Sequence, residues 1–115
     1  MIVTKEQAIQ REVVPGVSQI HYLDKATGSG AVSMGVVILQ PGAALRQHTH
    51  KAEDAMIVIE GKGLMLVGDQ EIPIEEGMAL LAPANTLHGL KNNSDKPLRI
   101  VYTWPAVEVQ RFFPE

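Results

Sequence analysis

The sequence predicts an all-β fold, a small antiparallel β-barrel or sandwich with little helix, and three observations carry that expectation. Gly and Pro punctuate the chain at short intervals, at Pro15-Gly16, Gly28-Ser29-Gly30, Pro41-Gly42, Gly61-Lys62-Gly63, Gly68-Asp69, Glu76-Gly77, Pro83 and Pro97. The runs between them are short and rich in Val, Ile, Leu and Met, as closely spaced strands require. Long helical periodicity is absent, and the 115 residues suffice for one domain, residues 1–115, with a real core.

Taken in order, residues 5–11 are the best helical candidate, because Thr4 and Gln7 have the spacing of a capping box. The segment is short, and an irregular arm is the other reading. Val17 to Leu23 follows as a strand, on which His21 is expected to be structural or exposed. In Ala31 to Leu39 the even positions Val32, Met34, Val36 and Ile38 are all apolar, so that face is expected to point inward. Leu45 to His50 is expected to be extended, then Asp54 to Glu60, on which Asp54, Met56 and Val58 share one parity. Asn92-Asn93-Ser94-Asp95-Lys96 reads as a turn. In Pro97 to Trp104, Leu98, Ile100, Tyr102 and Trp104 share the inward face.

Charge and composition exclude several functions. The formal charge is -3 and the ten Lys and Arg are scattered, so no basic stripe exists for nucleic acid. Met1 to Glu6 carries too few apolar residues for a signal-peptide core or a membrane span, so the expectation is a soluble, cytoplasmic protein. Without cysteine there are no thiolate nucleophiles and no thiolate-held metals, and any metal must be held by His and carboxylates.

Three of the four histidines suggest such a site. His48 and His50 are one residue apart on an extended segment, so both rings leave the same face with Cα atoms about 6.6 Å apart. His88 follows the Pro83-Ala84-Asn85 turn. If Met56 and Val58 point inward, so does Asp54, and Glu53 points away; Glu53 would replace it only if the strand bulged. His48, His50, His88 and Asp54 would fill four positions of an octahedral ion and leave two open, as a catalytic site needs. The ion would be one divalent transition metal such as Fe, Mn, Ni, Co or Zn. Arg46 shares parity with the histidines and is a candidate clamp for a substrate carboxylate. Met56, Tyr102 and Trp104 are candidate pocket walls, and Tyr102 is a candidate catalytic donor to a substrate oxygen.

These residues resemble the two motifs of the cupins, G-x5-H-x-H-x3,4-E-x6-G and G-x5-P-x-G-x2-H-x3-N. Gly42, His48, His50, Asp54 and Gly61 match the first, with Asp54 in the place of Glu. Gly77, Pro83, Asn85, His88 and Asn92 match the second, with Asn85 in the place of Gly. Every spacing is kept from Gly42 to Asn92. Asn tolerates the left-handed conformation, so Asn85 should preserve the turn; Asp54 is one methylene shorter than Glu and must draw closer to the ion or bind through water. The resemblance implies a jelly-roll barrel, a homodimer and a metal-dependent enzyme acting on a small chelating substrate, with a dioxygenase foremost and isomerases, decarboxylases and lyases next. The competing class is a noncatalytic binding module for a sugar-like small molecule.

Overall fold

The computed structural model describes residues 1–114 and contains ten strands and no helix among them. They are β1 (Ile9–Val14), β2 (Val17–Leu23), β3 (Ser33–Leu39), β4 (Ala44–His48), β5 (Asp54–Glu60), β6 (Lys62–Val67), β7 (Gln70–Glu75), β8 (Ala79–Ala82), β9 (His88–Lys91) and β10 (Leu98–Trp104). Every pairing is antiparallel, as the all-β expectation requires. The strands do not close into one ring. They form a six-stranded sheet, β1-β2-β3-β10-β5-β8, and a four-stranded sheet, β4-β9-β6-β7, with the jelly-roll core between them.

That core is built from alternate residues of both sheets. Leu39, Val58, Leu98 and Ile100 from one meet Leu45, Met65, Ile74 and Leu90 from the other, all buried. β10 lies at the centre of the larger sheet, between β3 and β5, and its inward row is Leu98, Ile100, Tyr102 and Trp104, as the parity of the run predicts. β5 likewise turns Asp54, Met56 and Val58 inward.

Two expectations are corrected here. Thr4 and Gln7 do form the capping contacts, Thr4 N donating to Gln7 Oε1 at 2.9 Å, but only a turn follows. From Ile9 the chain pairs with β2 instead, Ile9 opposite His21, because the ladder satisfies its backbone groups and a helix this short would not hold. In β3 the odd residues face inward: Ser33, Gly35, Val37 and Leu39 are buried, whereas Val32 and Met34 are 44% and 40% exposed. The reason is visible at Gly35, where an added Cβ would strike the Ile20 carbonyl and the Tyr102 ring and hydroxyl, so only glycine lets Tyr102 lie against this strand. The Ser33 hydroxyl meanwhile donates to the Ala106 carbonyl.

The turns that frame the histidines are individually pinned. Asn85 takes φ of 62°, the left-handed conformation expected of it, and its N–H donates to the His50 carbonyl at 2.6 Å. Asn92 is fully buried; its amide donates to the carbonyls of Leu39 and Lys96 while its Oδ1 accepts from Ser94, which closes the turn before β10. The last residues described, beyond β10, run back across the molecule as an extended strap, paired to Thr49 by reciprocal backbone bonds from Phe112 at 2.9 Å each.

Candidate metal centre

The three histidines converge. His48 ends β4 and His88 opens β9 directly opposite it, while His50 lies just beyond β4 on the same inward face. Ring centroids are 4.8 Å apart for His48 and His50, 4.6 Å for His48 and His88, and 5.0 Å for His50 and His88. One ring nitrogen from each lies within 4.8 Å of the others, and all three residues are buried, so the cluster could hold a metal ion.

Backbone carbonyls set the tautomers. His48 Nδ1 donates to the Arg46 carbonyl at 2.8 Å and His88 Nδ1 to the Thr86 carbonyl at 2.9 Å, while His50 Nδ1 faces the Gln110 carbonyl at 3.4 Å. A neutral imidazole that donates from Nδ1 keeps its Nε2 lone pair free, the arrangement of metal-binding histidines. The Nε2 atoms of His50 and His88 are buried and without a hydrogen-bond partner. Such groups are costly unless something absent from the protein itself meets them, and a cation meets two lone pairs aimed at one point. The residues therefore fit the metal that the sequence suggests.

Asp54, on β5, lies beside two of the three histidines. Its Oδ2 lies 3.5 Å from His50 Nε2 and 3.6 Å from His88 Nε2. Neighbouring donors around one ion with bonds of about 2.1 Å are separated by roughly 3 to 3.5 Å, so the shorter Asp side chain already sits at nearly the right spacing. Burial pushes the Asp54 pKa up, but contacts with His50 and His88 outweigh it and bring the value down to about 2. For His48, burial is the largest influence, followed by the Arg46 carbonyl acting in the opposite sense and the neighbouring histidines, and the pKa falls to about 4. Both shifts hold the groups in their metal-binding forms at neutral pH. Glu53 is exposed and lies outside the cluster.

The cavity at the cluster is lined by Val37, Leu45, Met56, Leu90, Tyr102, Trp104 and Arg111 besides His48, Asp54 and His88, and its volume is about 10 Å³. Met56, Tyr102 and Trp104 thus stand where the sequence places them, Trp104 with its ring 5.6 Å from His50. The Tyr102 hydroxyl is turned toward β2 and shares a 3.3 Å hydrogen bond with Nδ1 of the half-buried His21. Arg46 is elsewhere: it is exposed, with its guanidinium 4.4 Å above the Phe113 ring. The parity argument fails there because β4 is bulged. Leu45 pairs with Leu90 and His48 with His88, so three steps on β4 oppose two on β9, and both Leu45 and His48 face inward while Arg46 faces out.

The guanidinium that does reach the cavity is Arg111, on the strap. Its NH2 group donates to Gln19 Oε1 at 2.9 Å, and its Nε is buried without a partner. The signal for it lay in the alternation of the tail: Val109, Arg111 and Phe113 turn inward while Glu108, Gln110 and Phe112 are exposed.

Comparison with known proteins agrees with this geometry. Mannose-1-phosphate guanylyltransferase of Salmonella muenchen is 36% identical over 67 residues, 56% of this chain and 14% of that protein. Gentisate 1,2-dioxygenase of a Ralstonia species is 26% identical over 96 residues, 83% of this chain and 27% of that protein. The chain spans between 14% and 56% of the length of the curated relatives it matches. Among solved structures, the polyketide cyclase RemF of Streptomyces resistomycificus superposes with a TM-score of 0.83 at 18% identity, over all of this chain and 87% of that one, a likeness of fold. The family model described as a cupin domain matches residues 35–104, which hold all three clustered histidines and Asp54. This chain belongs to the cupin family.

Proposed function

We propose that this cupin is a metal-dependent enzyme acting on a small organic substrate that chelates the ion through two oxygens, with dioxygenation the leading reaction. The observation that carries this reading is the pair of buried, unpartnered Nε2 atoms on His50 and His88 beside the Asp54 carboxylate. His48, His50, His88 and Asp54 are the proposed ligands, and the ion would be Fe, Mn, Ni, Co or Zn. When bound, it supplies Lewis acidity toward substrate oxygens and, if redox-active, the one-electron chemistry that dioxygen requires. The chain's own contribution is to orient the imidazoles, hold His48 neutral, offset one charge with Asp54 and present a wall of Met56, Tyr102 and Trp104 to the substrate carbon frame. The match to a gentisate dioxygenase supports the reaction class.

Elemental analysis of the purified chain, followed by oxygen-electrode screening with catechols and diketones, tests the reading. About one ion per chain is expected in the wild type and none in His48→Ala. A chain that neither holds nor can be loaded with metal overturns it; metal without oxygen uptake on any of these compounds moves the assignment to the isomerases or decarboxylases.

We further propose that the working unit is a homodimer joined through the outer face of the larger sheet. Paired strands align Val36, Val101, Ile57 and Ala79 in one row and Met34, Thr103, Ala55 and Leu81 in the next. Met34, Ile57, Ile59 and Leu81 are 40%, 43%, 41% and 55% exposed there, an apolar patch of the kind that marks association.

A further inference from the structure

The strap divides two spaces of very different size. Outside it lies an open groove of about 730 Å³, lined by residues of the strap and of the Lys51-Ala52-Glu53 loop; inside it lies the metal cavity of about 10 Å³, which has room for one water-sized sphere. An organic substrate therefore does not fit beside the histidines with the strap in this position. Arg111 is the strap's inward charge, held between Val109 and Phe113, which pack on the core.

Among the described residues, the half-buried Arg111 forms no ion pair with a carboxylate. Its one hydrogen-bond partner is the neutral Gln19 amide; Arg111 Nε and Gln19 Nε2 are both buried donors with no acceptor. Asp54 is the acidic group that acts on Arg111 across the cavity, and it is engaged with His50 and His88. With a divalent ion in place, the ion and the guanidinium would face a single carboxylate, which leaves a net two positive charges around a cavity with room for one water. Buried charge of that kind is unfavourable until a counter-charge arrives. A guanidinium edge beside an amide N–H is suited to a planar oxygen anion.

We propose that Arg111, steadied by Gln19, is the specificity-determining residue that meets a carboxylate on the substrate once the strap has made room for it. The proposal rests on the metal-chelation reading above and adds the substrate class: a small chelating molecule that also bears a carboxylate. Arg111 makes no contact with reacting atoms in this scheme; it selects and holds.

The test uses the full chain loaded with zinc, which is redox-inert, and two probes of equal shape that differ by one charge, 2,3-dihydroxybenzoate and 2,3-dihydroxybenzamide. Calorimetric titration is expected to give at least tenfold tighter binding of the acid by the wild type, a ratio near one for Arg111→Gln, and an intermediate ratio for Arg111→Lys, which keeps the charge and loses the planar fork. Equal affinity for both probes in the wild type, failure to bind either, or an acid preference that survives in Arg111→Gln overturns the proposal. If Arg111→Gln does not fold, an undiminished ratio in Arg111→Lys overturns it instead, because a point charge cannot replace bidentate contact. Zinc content measured on the same samples separates the two readings. A zinc-loaded chain with no acid preference sinks the anion site alone, whereas a chain that takes no zinc sinks both.

Discussion

At the scale of single residues, the centre depends on where hydrogen bonds send protons. Backbone carbonyls hold the Nδ1 protons of His48 and His88, and Asp54 supplies the one negative charge among the proposed ligands. Replacing Asp54 with Asn keeps the shape and removes the charge, so affinity for zinc measured by competition with a chromophoric chelator is expected to fall at least tenfold while the three histidines still bind. The metal-free protein should also be acid-labile. The unfolded chain protonates His48 near the ordinary 6.5, but the folded chain does so only near 4, so the unfolded state holds more protons in between. Stability is expected to be steady above pH 6.5 and to fall as the pH drops toward 4; Asp54 adds a further loss between 3.8 and 2. Thermal melts of the metal-free chain check this, and His48→Gln should flatten the upper part of the slope. The spacing of His48, His50, Asp54 and His88 made this much legible from sequence, because metal ligation demands particular residue types at fixed intervals. Arg111 was not legible in the same way, since an arginine in a tail looks like ordinary surface charge until the strap's path is known.

At the scale of elements, sequence parity finds which residues of a strand share a face but does not by itself say which face is buried. β10 reads correctly because Arg99 and Thr103 mark its outer face, whereas the outer face of β5 is as apolar as its inner one and its inward side follows from Asp54 joining the histidines. β3 is apolar on one side and carries Ser33 and Gly35 on the other, yet that second side is the buried one, because Tyr102 needs the space a missing Cβ provides. Gly35→Ala is therefore expected to destabilise the fold by about 1–3 kcal/mol or more through overpacking, measurable by urea denaturation. The bulge that displaces Arg46 was equally hidden: its glycine sits on the neighbouring strand, where a Cβ on Gly89 would collide with the Leu45 carbonyl at 2.6 Å. The strap can be tested through Trp104, the chain's single tryptophan. A chain ending at Ala106 is expected to keep its β-sheet circular dichroism, while Trp104 emission shifts to the red and is quenched several-fold more by acrylamide.

At the scale of the whole molecule, the two sheets differ in what their outer faces offer. The larger sheet exposes the Met34, Ile57, Ile59 and Leu81 patch, whereas the smaller one carries the metal histidines inward and charged or polar residues such as Lys62, Gln70 and Glu75 on its rim. Sedimentation equilibrium should give the mass of two chains for the wild type and of one for Ile57→Lys, with metal content unchanged, because Ile57 points away from the cavity. A wild type that sediments as one chain would remove the dimer from the picture. The same two-faced composition explains why sequence analysis recovers the jelly roll's strands and turns more readily than the division into separate sheets. That division depends on which strands share a ladder, a non-local property that alternation does not encode.

The strap carries a consequence for time as well as for shape. The strap lies over the three histidines, with Arg111 lining their cavity and Phe112 paired to Thr49, so an ion held there would exchange more readily whenever that backbone pair breaks. The exchange rate of such an ion would then report how often a short stretch of chain peels away as well as how tightly the ligands bind.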